Sequence, residues 1–379
     1  MARVFIFGAG ASACYRNGYT EEKPPLQSNF WETAFGSEAN ATMQVRRGSI
    51  YNYLSDADLY DEKGREKMTV EGVMTKVHED IIAAFGSGLG SGETWQEGIH
   101  MPITPFSLAQ VYQDLVLLCA QTVNNLSCGD PCQNYGALVA SLQPDDTLIT
   151  FNWDTLLDRA LWDSGHWQPD TGYGIAFGYV LDGKWRRTPR KVKKSRLRLF
   201  KLHGSTNWLI PYTAWDFRDG CRKMIFRPET EHVPVCYFRC ESDLPSYQEL
   251  YTPQGMFCYG FPPNHPEFEA HGCLYPMIVP PSRTKYYSDL PDVLPVLWQE
   301  AWERMRRADE IVIIGYSFPE TDLMSWELME EATKWGKIRV TIVDPFPDAV
   351  VKRLKDRLGK RVEIEVKAVG FEKFAAALH

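Results

Sequence analysis

Between Glu310 and Leu378 the chain alternates strand-length apolar runs with helix-length segments, and this alternation restricts the fold more than any other feature. Glu310-Ile311-Val312-Ile313-Ile314, Ile338 to Val343 and Val362 to Val366 read as strands, and Leu323 to Lys334, Pro347 to Leu358 and Phe371 to Leu378 as the helices that follow them. Short, nearly continuous apolar strands, each returned by a helix, predict a parallel sheet covered on both faces. The fold class is therefore α/β.

The same sheet should begin at the N-terminus, where Val4-Phe5-Ile6-Phe7 is a short apolar run closed by Gly8. Gly8-Ala9-Gly10-Ala11-Ser12-Ala13 then matches the G-x-G-x-x-A fingerprint of dinucleotide-binding turns. Glycines there let the backbone turn sharply and approach a ligand, and a helix starting behind them would offer its N–H groups to a pyrophosphate. A tight structural turn is the alternative. Together with the tail, the turn specifies a Rossmann-like doubly wound parallel sheet with a mainly helical insertion and a second, irregular one.

Residues 1–34 and 145–379 form the expected dinucleotide-binding core, interrupted by a helical region over 35–144 and an irregular insertion over 211–275. In the helical region Val70 to Phe85 places Val70, Val73, Met74, Val77, Ile81 and Ile82 near one face, and Thr104-Pro105 opens a helix running to about Asn124. The α/β pattern resumes with strands at Thr147 to Phe151 and Leu197 to Leu202, and Leu290 to Arg307 is a helix turning Leu294, Leu297, Trp298, Ala301 and Met305 inward. Residues 211–276 are rich in Pro, Cys and aromatics and show little periodicity.

Composition narrows the function classes. Hydrophobic residues at 44% and aromatics at 13% of 379 residues argue for a packed globular chain. A formal net charge of −8 gives no general drive toward nucleic acid, and the basic run from Lys184 to Arg198 reads first as a solvated loop. Nine scattered Cys do not make a disulfide framework, Arg3 leads straight into a strand rather than a leader, and no apolar run approaches the ~20 residues of a membrane span. A cytoplasmic protein with no membrane contact and no direct nucleic-acid binding is expected.

Four polar segments stand at the carboxyl ends of predicted strands: Gly8 to Ser12, Asn152-Trp153-Asp154, His203-Gly204-Ser205 and Gly315-Tyr316-Ser317. A doubly wound sheet gathers such ends along one crevice. In this order and spelling they resemble the sirtuin-like superfamily, whose members carry a Gly-Ala-Gly-x-Ser turn, a Gln-Asn-Ile-Asp segment, a catalytic Leu-His-Gly segment and a late Gly-Thr-Ser turn. Phe151-Asn152-Trp153-Asp154, the Pro280-Pro281 step before Lys285, and Gly315 to Asp322 (Gly-Tyr-Ser-Phe-Pro-Glu-Thr-Asp) resemble the divergent bacterial antiphage branch more than the deacetylases.

The resemblance implies NAD⁺ as substrate. His203 would be the base, Asn152 would orient the ribose or the attacking water, and Asp154 would hold the nicotinamide carboxamide. Ser12 and the N–H groups of Ala9, Gly10 and Ala11 would bind phosphates behind Gly8, and Gly315, Ser317 and Asp344 would line the adenosine side. Deacetylase sirtuins hold zinc through two C-x-x-C pairs. Cys221, Cys236, Cys240, Cys258 and Cys273 form no such pair, so no metal is expected. Phe151 replaces the sirtuin Gln, which favours water as acceptor and an NAD⁺ glycohydrolase that releases ADP-ribose and nicotinamide. A protein deacylase or ADP-ribosyl transferase, or a non-catalytic NAD⁺ or ADP-ribose sensor, are the alternatives. A homo-oligomer, a HerA-type ATPase partner and an abortive-infection role in antiviral defence are further implications of the branch.

Overall fold

A computed structural model describes residues 2–17, 21–36, 44–59, 68–86, 104–127, 129–181, 184–187, 197–213, 234–237, 259–260, 272–283 and 293–378. The chain opens with β1 (Arg3–Phe7) and a single helical turn, α1 (Ala9–Ser12), followed by α2 (Phe30–Gly36), α3 (Gln44–Asp56), α4 (Val70–Gly86), α5 (Thr104–Leu126) and α6 (Gln133–Ser141). Next come β2 (Thr147–Thr150), α7 (Leu156–Asp163), α8 (Pro169–Gly172), β3 (Tyr179–Leu181), β4 (Trp185–Arg187), β5 (Arg198–Lys201) and β6 (Gly204–Thr213). After β7 (Val235–Tyr237), β8 (Tyr259–Gly260) and β9 (Gly272–Ile278), the chain ends in α9 (Val293–Met305), β10 (Glu310–Ile314), α10 (Leu323–Ala332), β11 (Ile338–Val343), α11 (Asp348–Leu358), β12 (Val362–Lys367) and α12 (Phe371–Ala376).

The expected parallel sheet is present. Its order is β12-β11-β10-β1-β2-β5, and every neighbouring pair is parallel. Strand order reverses between β1 and β10, in register from Arg3 against Glu310 to Phe7 against Ile314. At such a switch point the two strand ends diverge to opposite sides and leave a crevice. α6 packs on α7 and α12, whereas α9 packs on α10, which Arg357 of α11 joins through a 2.7 Å bond to Glu330. Leu294, Leu297, Trp298, Ala301 and Met305 are all buried, as the helical spacing required.

The second sheet departs from the sequence reading. Residues of the stretch taken as irregular supply β7, β8 and β9 to a six-stranded mixed sheet, β4-β3-β7-β6-β9-β8. These strands are short or contain prolines (Pro211, Pro276), so alternation is too brief to register against the flanking polar residues. Helix α5 packs against β6 and β9, and α2, α3 and α4 pack on α5. Val73, Met74 and Val77 of α4, Leu115 and Leu118 of α5, and Leu209, Val235 and Ile278 of the sheet share one buried cluster. Ile81 packs partly buried against this cluster, whereas Ile82 is 51% exposed, so the inward face of α4 ends at Ile81.

β5 and β6 belong to different sheets and are joined by Leu202 and His203 alone. Gly204 makes this transfer possible. Its φ is +77°, and a Cβ there would lie 2.0 Å from the Met277 carbonyl oxygen. Residues 188–196 of the basic run, Lys285, Cys221, Cys240 and Cys258 lie outside the described residues.

Candidate active site

The glycines of the opening turn are explained by packing between two turns. Gly8 has an ordinary extended conformation (φ −127°, ψ −177°), but a Cβ on it would lie 2.6 Å from the Gly315 carbonyl oxygen. Gly315 itself has φ +59°, and a Cβ there would sit 2.3 Å from the Ala11 nitrogen. The β1 and β10 turns thus interlock at the switch point, backbone against backbone. The amides of Gly10 and Ala11 donate to the carbonyls of Gly315 (3.0 Å) and Gly8 (2.9 Å). Two of the three amides expected to receive phosphate are therefore already engaged. α1 is one turn long, too short to carry a substantial dipole.

A cavity of about 740 Å³ opens over this interlock, within the ~300–1,000 Å³ usual for small-molecule sites. Gly8, Ala9, Gly10, Ser12, Asn152, Asp154, His203, Gly315 and Ser317 all line it. Ala11 is fully buried beneath the turn and lines nothing. Asp344 stands outside the lining, and its Oδ1 accepts the Phe346 amide at 2.7 Å, an Asx turn at the end of β11.

The polar groups of the cavity floor form one network. Asn152 Nδ2 donates to the Gly8 carbonyl (2.9 Å) and to Ser12 Oγ (3.0 Å). Both its amide hydrogens are then used, and its remaining capacity is the acceptor Oδ1. Ser12 Oγ donates to Asp154 Oδ2 (2.7 Å) and lies 3.2 Å from the Tyr135 hydroxyl. Asp154 Oδ1 accepts the Leu156 amide (3.0 Å), so this carboxylate both starts α7 and holds Ser12. Burial pushes the Asp154 carboxyl up, against the Lys201 ammonium and the Ser12 and Leu156 bonds, which pull it down.

Three contributors were not predicted. Lys201, fully buried at the end of β5, donates to the Asp154 carbonyl and pairs with Asp158 at 3.1 Å. A lysine closing an apolar strand was the available signal. Asp322, at the end of the Gly315 to Asp322 segment, lies with Oδ2 3.3 Å from His203 Nε2. The third is the roof, where Pro24 to Ser28, Thr69 to Glu71, Cys119 and Val123 bring the helical region over the cavity.

Aromatic rings hold His203 in place. Phe151 meets it edge-on at 4.9 Å and stacks on Tyr316 at 4.3 Å, and Trp298 stands 6.4 Å away. Phe151 is thus a buried wall of the histidine site. Among the described residues no Lys or Arg lines the cavity, whereas Glu71, Asp154 and Asp322 do.

No family model and no curated protein matches this sequence. Solved structures do. A Sir2 homolog in complex with NAD aligns at 12% identity over 100% of this chain and 87% of its own, with a TM-score of 0.43. A mutant Sir2 homologue in complex with ADP-ribose aligns at 11% identity over 100% and 90%, with a TM-score of 0.40. Among the described residues no helix is long and apolar enough to cross a membrane, and no group of three His, Cys, Asp or Glu is placed to hold a metal.

Proposed function

We propose that the chain is an NAD⁺ glycohydrolase. The observation that carries this reading is the meeting of Asn152 and His203, delivered by the neighbouring strands β2 and β5, on a cavity at the switch point of a doubly wound sheet. The bond to be cut joins a cationic pyridinium to the ribose. Its electron pair leaves with nicotinamide, which becomes neutral, and positive charge develops on the sugar. A cavity with three carboxylates and no described cation suits both the pyridinium and that developing charge.

Water then bonds to the anomeric carbon, and His203 removes its proton. The sum is NAD⁺ and water giving ADP-ribose, nicotinamide and one proton. Asn152 Oδ1 accepts a hydrogen bond from the water or a ribose hydroxyl, while its Nδ2 stays tied to Gly8 and Ser12. The phosphates would lie against Ala9 and Gly10, the exposed pair of the turn, with Ser317 toward the adenosine end. Asp154 acts from beneath, by fixing Ser12. Asp344 drops out of this assignment.

The resemblance to the antiphage branch adds the finer part of the proposal: an effector that depletes NAD⁺ in the cytoplasm, assembles as a homo-oligomer and works with a HerA-type ATPase. It also keeps the division into a core (1–34, 145–379) and insertions (35–144, 211–275). Following nicotinamide release from NAD⁺, with the chain alone and with its genomic neighbour, tests chemistry and control together. Tight ADP-ribose binding with no release under either condition would favour the sensor alternative.

A further inference from the structure

Asp322 sits at the N-cap position of α10, where an aspartate ordinarily accepts a bond from the first turn. It makes no such bond. Its side chain, 3% exposed, turns inward: Oδ2 accepts the Tyr316 hydroxyl at 2.6 Å and lies 3.3 Å from His203 Nε2. The loop that places it folds back through Phe318, a buried residue at φ +48°, a conformation that β-carbon-bearing residues rarely adopt. Two segments distant in sequence, the β5–β6 link and the β10–α10 loop, converge to make this pair.

We propose that Asp322 is the positioning residue for His203. The Asp322 carboxylate 3.3 Å from Nε2 favours a proton on that nitrogen electrostatically, which makes Nδ1 the acceptor of the pair. When Nδ1 takes the proton released by the attacking water, an N–H bond replaces an O–H bond and the ring becomes cationic. Asp322 stays ionised and balances that charge. Other titratable groups on the surrounding elements include Tyr316, which is bonded to Asp322, Lys201 at the end of β5, Asp154, Glu71 and Cys119 in the cavity lining, Glu320 in the same loop, and Glu300, Glu303 and Arg304 of α9. The catalytic part of this proposal rests on the glycohydrolase reading; the tautomer does not.

Proton–nitrogen NMR of the His203 ring, on the full chain without ligand, tests the pair directly. Wild type should show the Nε2-protonated tautomer. Asp322→Asn should abolish that preference and lower the ring pKa by about one unit or more, since an anionic neighbour favours the imidazolium. Nicotinamide release should fall roughly 10²- to 10⁴-fold in kcat, with ADP-ribose affinity retained and the acid limb of kcat/KM moved down with the ring. Asp322→Glu should recover part of the rate. Tyr316→Phe, which removes the competing donor from Asp322, should move the ring pKa upward.

A ring titration and tautomer unchanged in Asp322→Asn and Tyr316→Phe would overturn the proposal. So would a lower rate with no movement of either, because that is the signature of a structural aspartate. If wild type releases no nicotinamide while the ring responds as described, the glycohydrolase reading fails and the pair stands.

Discussion

The α-carbon of Gly315 and the backbone nitrogen of Ala11 approach so closely that a Cβ on Gly315 would lie 2.3 Å from that nitrogen. Gly315→Ala therefore meets two obstacles, a φ of +59° and an immovable backbone neighbour. The variant should lose roughly 2–4 kcal/mol in urea unfolding, from the left-handed backbone and the overpacking together. Gly336→Ala, with nothing within 4 Å of the added carbon, serves as the control and should stay near wild type.

Lys201 and Asp158 form an ion pair with 0% and 1% of their side chains exposed, and Asp158 also accepts the Tyr173 hydroxyl. Lys201→Met leaves a buried carboxylate without its cation and should cost about 3–5 kcal/mol in chemical denaturation. The double variant Lys201→Met with Asp158→Leu removes both charges and should recover much of that loss.

Asn152 and His203 should separate in their effects. His203→Ala should lower nicotinamide release by about 10²- to 10⁴-fold and leave ADP-ribose affinity close to wild type in calorimetry. Asn152→Ala removes the donor to the Gly8 carbonyl, so it should lower activity and also cost about 1–3 kcal/mol of stability. Equal thermal stability of the two variants would count against this placement of Asn152.

Asp154 supplies a pH test. Burial raises its folded pKa above the unfolded value, so the stability it contributes is complete at low pH and is lost as pH rises through the folded value. Asp154→Asn does not titrate. The stability of wild type minus that of the variant should therefore decline as pH rises above the ordinary aspartate value, in urea unfolding across the range. A difference that grows with pH would show that Lys201 outweighs burial.

The sequence made the parallel sheet legible because its strands are buried on both faces and need no partner to be recognised. Val4 to Phe7 and Glu310 to Ile314 read as strands on composition alone. His203 and Asn152 were visible for a related reason: polar residues that directly follow such strands stand out. What stayed hidden depends on contacts between distant segments. Nothing local to Asp322 reveals that its carboxylate turns toward a histidine 119 positions earlier. The second sheet was hidden because its strands β3, β4, β7 and β8 are two or three residues long, too short for alternation to declare itself.

Leu202 and His203 are the whole of the chain between β5 and β6. A two-residue link reaches at most about 7 Å when fully drawn out and has no slack to absorb movement. Among the described residues, no strand of the second sheet contributes to the cavity lining. The histidine is thus tethered on one side to a sheet whose strands do not line the cavity. The imidazole of His203 therefore sits at the seam between the two sheets, and the position of β6 bears on it directly.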